Sequence, residues 1–117
     1  MSELLFSKTP TKKKRMKHPA SIMHSKELGT CYLCELAGDY SIKPELHEHH
    51  VFGGPNRKHS EEYGLKVYLC PDCHMYGRHA AHRNASTRML LHMHGQRAFE
   101  KEHTREEFVE IFGRRYL

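Results

Sequence analysis

A chain of 117 residues suits one domain, but Leu, Ile, Val and Phe fill only 22 of its positions, too few to expect a core that stands unaided. No secretory hydrophobic region and no apolar run near 18 residues occurs, which argues against export or membrane insertion and favours the cytoplasm. The net charge of +5 sits entirely in residues 1–29, where seven Lys/Arg face two acids; the rest of the chain is formally neutral.

Taken in chain order, residues 1–29 read as a flexible basic arm. Its centre, TPTKKKRMKHP (9–19), carries Lys12, Lys13, Lys14, Arg15 and Lys17, and the charge density with Pro10 and Pro19 disfavours a helix. Such an arm either binds nucleic-acid phosphates or simply solubilises the chain. From Thr30 the sequence reads as a folded domain to residue 117. CYLC (31–34) is a tight knuckle. LHEHHVF (46–52) alternates well enough for a short strand. GGPNRKHSEEYG (53–64) is a loop by composition, opened by Gly53, Gly54 and Pro55. LKVYLC (65–70) predicts a second strand with Leu65, Val67 and Leu69 on one face.

PDCHMYGRHAAHRN (71–84) begins as a second knuckle and is expected to continue as a helix, with Pro71 in its first turn. Ser86 then caps a helix running to about Lys101, in which Gly95 is a weak point costing about 1 kcal/mol relative to Ala. Thr104 and Glu107 form a capping box for a last helix, with Phe108, Ile111 and Phe112 on one side and Gly113 at its end. The expected class is α+β: a metal-stapled core over 30–84 and two C-terminal helices over 85–117.

A small domain with few core residues needs a staple. Cys31 and Cys34, and Cys70 and Cys73, are two CxxC pairs with no cysteine left over. Four thiolates complete a tetrahedral zinc shell, and in a reducing compartment zinc is favoured over two disulfides or a redox pair. Such a Zn2+ would supply folding energy and clamp the two strands at one end.

The twelve histidines are less decided by spacing. His49 and His50 are neighbours on a predicted strand, so they point to opposite faces and cannot share one task. One metal ligand and one free base is the natural division. A second metal site would use His49 with His74 and His82. Because His74 and His82 are eight apart, about two helical turns, this requires the helix to end early or the chain to bend at Gly77. His79 is the competing ligand. His47 and His59 could support the ligands or touch phosphate, while His18, His24, His92, His94 and His103 read as ordinary surface residues.

CxxC, then a histidine pair on a strand, then LCxxCH at the end of the next strand resembles the HNH endonuclease family, the ββα-metal fold with an added four-cysteine zinc site. The residues carrying the likeness are Cys31, Cys34, His49, His50, Cys70, Cys73 and His74. GQRAFEKEHTREEF (95–108) also looks like a stretch found in phage and prophage members, including the recombination-enhancement HNH nucleases. The resemblance implies His50 as general base, with His49 and His74 as ligands of a catalytic divalent metal, Mg2+ or Mn2+/Ni2+. Many family members carry an orienting Asn five residues before the third cysteine. Here that position is Leu65, which leaves Asn56 and Asn84, the chain's two asparagines, as candidates for the role.

The expected function is therefore metal-dependent hydrolysis of DNA phosphodiester bonds, with weak sequence preference. Arg57 and Lys58 and the basic arm would hold the backbone. The rival reading is a non-catalytic, zinc-stapled module that binds nucleic acid.

Overall fold

In the computed structural model residues 19–117 are described, so Lys12, Lys13, Lys14, Arg15 and Lys17 of the expected arm lie outside the described residues. Six elements of regular structure follow in order: α1 (Tyr32–Leu36), β1 (His47–His50), α2 (Arg57–Tyr63), β2 (Lys66–Leu69), α3 (Ala85–Phe99) and α4 (Arg105–Phe112). Single turns of tighter helix at Lys26–Leu28 and Gly54–Asn56, and a π-helical turn at Asp72–Tyr76, complete the path. The class is α+β.

β1 and β2 form a two-stranded antiparallel sheet, with His47 opposite Leu69, Glu48 opposite Tyr68, His49 opposite Val67 and His50 opposite Lys66. Alternation along the strands puts His47, His49, Val67 and Leu69 on one face, and Glu48, His50, Lys66 and Tyr68 on the other. Every residue of β2 is buried. Its second edge is covered by residues 21–24. The Ile22 amide donates to the Gly64 carbonyl at 2.9 Å, the Ser21 hydroxyl donates to the Lys66 carbonyl, and the Tyr68 amide donates to His24 Nδ1 at 3.2 Å. An unpaired strand edge is thereby satisfied. The packed region thus begins well before the expected boundary at residue 30, and His24, read from sequence as a surface residue, is 6% exposed.

The segment read as a loop over 53–64 is mostly helix. Composition misleads here because RKHSEEY buries only Ser60 and shows no apolar stripe. That one residue anchors the helix. Its hydroxyl donates to the Phe52 carbonyl (2.8 Å) and accepts from the Phe52 amide (2.9 Å). Gly64, at φ 70°, ends α2 with its amide on the Ser60 carbonyl.

The expected helix over 71–84 is also corrected. The chain makes one π-helical turn and then extends at Gly77, whose amide donates to the Asp72 carbonyl at 2.8 Å. A Cβ on Gly77 would lie 2.7 Å from that same carbonyl oxygen, so the reversal requires glycine. The chain then runs back beside itself, with the Ala81 amide on the Cys73 carbonyl (2.7 Å) and the His82 amide on the His74 carbonyl (3.1 Å).

α3 is capped by Asn84, whose side chain accepts from the Thr87 amide at 3.0 Å, and not by Ser86; it ends at Phe99, short of Lys101. Gly95 is a point of close approach more than a weak one. A Cβ there would meet Phe52 and Val51 side-chain atoms at 2.9 Å. α4 carries the expected capping box between Thr104 and Glu107 and the expected glycine, Gly113, at φ 89°. Phe52, Phe99, Phe108, Leu65, Leu69, Leu91 and Val67 fill the core, with Phe108 stacked on Phe112 at 4.6 Å. α3 and α4 thus hold the end of β1 from which the histidines project.

Candidate metal centres and the His50 pocket

The two CxxC turns converge. Cys31 caps α1, and Cys70 leaves β2 with its carbonyl accepting from the His74 amide at 2.9 Å. Cys34 Sγ lies 3.9 Å from Cys70 Sγ and 3.7 Å from Cys73 Sγ. These separations are far beyond a disulfide bond of about 2.05 Å. They match the edge of about 3.8 Å expected when four sulfurs sit about 2.3 Å from one ion. All four cysteines are free, and their sulfurs could hold zinc.

Their electrostatics also favour a cation. Burial, followed by the neighbouring Cys31, pushes the Cys34 thiol up to about 11, and burial raises Cys73 further still. At Cys31 burial opposes ionisation, yet hydrogen bonds from the backbone of Cys70 and Cys34 and from the Cys34 and Cys73 thiols together more than offset it and the thiol is lowered. One thiolate forms readily, and Cys34 and Cys73 resist joining it. A divalent ion removes that resistance.

His49, His74 and His82 form a second group whose ligand nitrogens all lie within 4.8 Å of one another. His49 is 7% exposed and comes from β1, His74 follows Cys73, and His82 arrives through the reversal at Gly77. The eight-residue gap is therefore closed by a returning chain. His74 Nε2 and His82 Nε2 are 3.1 Å apart, within the range of about 3.0–3.4 Å for two nitrogens sharing an ion at about 2.1 Å. His74 Nδ1 is 2.9 Å from His47 Nδ1, and His47 Nε2 is 2.7 Å from a Glu45 carboxylate oxygen. That chain leaves His74 Nε2 as the nitrogen for a metal. Burial, then the charge that would develop on His82 and His74, holds His49 down to about 3; burial, then His82 and His47, holds His74 down to about 4. Both rings are thus neutral at pH 7, with lone pairs available. Three imidazoles around one ion would leave coordination positions open for further ligands such as water. His79 stays outside this group and lines an apolar recess with Leu33, Thr87 and Leu90.

His50 points to the other face of β1. Its Nε2 is 2.6 Å from Glu61 Oε1, and the other Glu61 oxygen accepts from Lys66 Nζ at 2.9 Å. Hydrogen bonds from Lys66 and His50 lower the Glu61 carboxyl to about 2. Glu48, His50 and Glu61 together have the donor types of a cation site, but Lys66 Nζ lies 3.3 Å from Glu48 and 2.9 Å from Glu61 and already brings positive charge there. Beside them is an open cavity of about 620 Å³, lined by Glu48, His50, Gly54, Pro55, Arg57, Lys58 and Glu61. Arg57 and Lys58 are exposed at the start of α2.

Both asparagines expected at the site are engaged elsewhere. Asn56 Nδ2 donates to the Phe112 carbonyl at 3.2 Å, and Asn84 is occupied as the cap of α3. Leu65 is fully buried in the core. The partner that the sequence reading missed is Glu61, because its segment was read as a loop. The spacing that could have found it is SEEYG: Ser60 to tie down a short helix, Gly64 to end it, and Glu61 between them.

Comparison with protein-family models, curated proteins and solved structures finds no match for this chain. Among the described residues no helix is long and apolar enough to cross a membrane.

Proposed function

We propose that this protein is a metal-dependent endonuclease of the HNH type, hydrolysing DNA phosphodiester bonds on a ββα-metal core in which the turn after β2 takes the place of the helix. The observation that carries the reading is the division between two consecutive residues of β1. His49 joins a three-imidazole group, while His50 lines a cavity edged by Arg57 and Lys58. In this reading Cys31, Cys34, Cys70 and Cys73 hold a structural zinc. His49, His74 and His82 hold a catalytic ion, Mg2+, Mn2+ or Ni2+, with imidazole donors favouring the transition metals. Such an ion, when bound, supplies charge neutralisation at the phosphate and at the leaving 3′ oxygen.

The chain's own residues do the rest. An unprotonated ring nitrogen of His50 takes the proton of the attacking water as general base. The Arg57 and Lys58 side chains hold the flanking phosphates, contacts that carry no base information and so give weak sequence preference.

The test is nicking of supercoiled plasmid by the wild type and His50→Ala, each supplied with Mg2+, Mn2+ or Ni2+ or with EDTA, after both are shown to retain one zinc per chain. Metal-dependent nicking by the wild type alone supports the proposal. DNA binding without nicking by either protein would reject it in favour of a binding module.

A further inference from the structure

We propose that Glu61 is the positioning residue of the His50 base, held in place by Lys66, and that His50 accepts the water proton through Nδ1. The role in catalysis rests on the nuclease reading; the assignment of the ring nitrogens does not.

An ionised carboxylate can only accept a hydrogen bond. At 2.6 Å from Glu61 Oε1, His50 Nε2 is therefore the nitrogen that carries the proton and donates. The lone pair is then on Nδ1, and one bond fixes both the tautomer and the tilt of the ring. The same logic places a carboxylate behind a catalytic histidine on unrelated folds.

Glu61 is itself fixed from three sides. Its second oxygen accepts from Lys66 Nζ at 2.9 Å, so its two oxygens are divided between His50 and Lys66. Lys66 is 5% exposed and sits directly opposite His50 in the strand register, so the ammonium has little freedom to leave. The backbone is held on both sides of Glu61. Ser60 is bonded twice to Phe52. Gly64 is packed so closely that a Cβ would lie 2.5 Å from the Ala20 carbonyl oxygen. This arrangement accounts for the missing asparagine. The position where the resemblance expects it, Leu65, is a buried core residue, and the orienting task has moved four residues back, to the last turns of α2.

Two readouts test this on the full-length, zinc-loaded protein. The first is the long-range 1H–15N spectrum of His50, assigned with His50→Gln. A neutral ring protonated at Nε2 in the wild type is expected, with Nδ1–H gaining population in Glu61→Ala. A wild-type ring protonated at Nδ1 overturns the proposal, whether or not the protein cleaves DNA. The second is kcat and KM for nicking at saturating metal. Glu61→Ala should lower kcat by about 30-fold with KM within about threefold. Glu61→Gln, whose amide oxygen still accepts from Nε2–H, should recover most of that loss. Unchanged kcat in Glu61→Ala, or a loss matched by lost zinc or melting temperature in both variants, also overturns it. An inactive wild type would sink the nuclease reading and leave the spectrum to decide the orientation.

Discussion

The four-cysteine and three-histidine groups each take one member from neighbouring residues of one turn, Cys73 and His74, yet they differ in what they leave open. The cysteine group has four donors, with Cys34 at tetrahedral spacing from Cys70 and Cys73, enough to complete the shell of one ion. The histidine group has three donors, one of them buried and one exposed, and reaches solvent through His82. Closed coordination by soft thiolates suits a structural ion; open coordination by neutral imidazoles suits an ion that must touch water and phosphate. One short π-helical turn can serve both because its successive side chains diverge, and because Gly77 returns the chain to bring in His82.

The largest effect that could break this contrast is on folding. Cys73→Ser should abolish zinc retention and cooperative unfolding, since structural zinc contributes on the order of 10 kcal/mol and the whole stability of a small domain is only about 5–15 kcal/mol. Circular dichroism with metal analysis reads this out, and a folded, zinc-free variant would count against a structural role.

His49→Ala should do the converse. The zinc stays, melting changes by only about 1–3 kcal/mol, and metal-dependent nicking falls to background. Loss of zinc in this variant would merge the two groups that the geometry separates.

Smaller, but opposite in sign to what helix propensity says, is the effect of Gly95→Ala. Alanine is the better helix former by about 1 kcal/mol. The 2.9 Å approach to Val51 and Phe52 should nevertheless make the variant less stable, by about 1–3 kcal/mol in denaturant unfolding, because the end of β1 must move away. Increased stability would show that the packing behind the histidines is looser than described.

The pH dependence separates the groups further. With the histidine group metal-free and zinc in place, His49 has its pKa depressed to about 3 against an ordinary 6.5 in the unfolded chain. Its contribution is fully present above pH 6.5 and is lost progressively as pH falls, because the unfolded chain takes up the proton first. Between pH 6.5 and 5, His49→Leu should flatten the fall in melting temperature. The difference corresponds to at most about 1.4 kcal/mol per pH unit. An unchanged slope would contradict the burial described for that ring. Smallest of all, His47→Phe should weaken metal binding at the histidine group by about tenfold, through loss of the bond that sets the His74 tautomer.

Much of this was legible in the sequence for a physical reason. CxxC pairs, the capping box at Thr104 and Glu107, and the alternation of LHEHHVF are local patterns whose geometry follows from spacing alone. The pairing of His74 with His82 was legible only as a condition, a bend at Gly77, because it depends on a chain reversal and not on a periodicity. α2 was illegible because a helix with one buried residue has no apolar stripe, and Glu61 was lost with it. The asparagines were misplaced for a related reason: a capping side chain and a site side chain look alike in sequence, and Asn84 caps α3 while Asn56 binds the end of α4.

The contrast itself is tested most directly by calorimetric titration of Ni2+ into the zinc-loaded protein. One further ion per chain is expected, lost in His49→Ala and in His82→Ala but retained in His79→Ala. No second ion, or a second ion that survives His49→Ala, would contradict it.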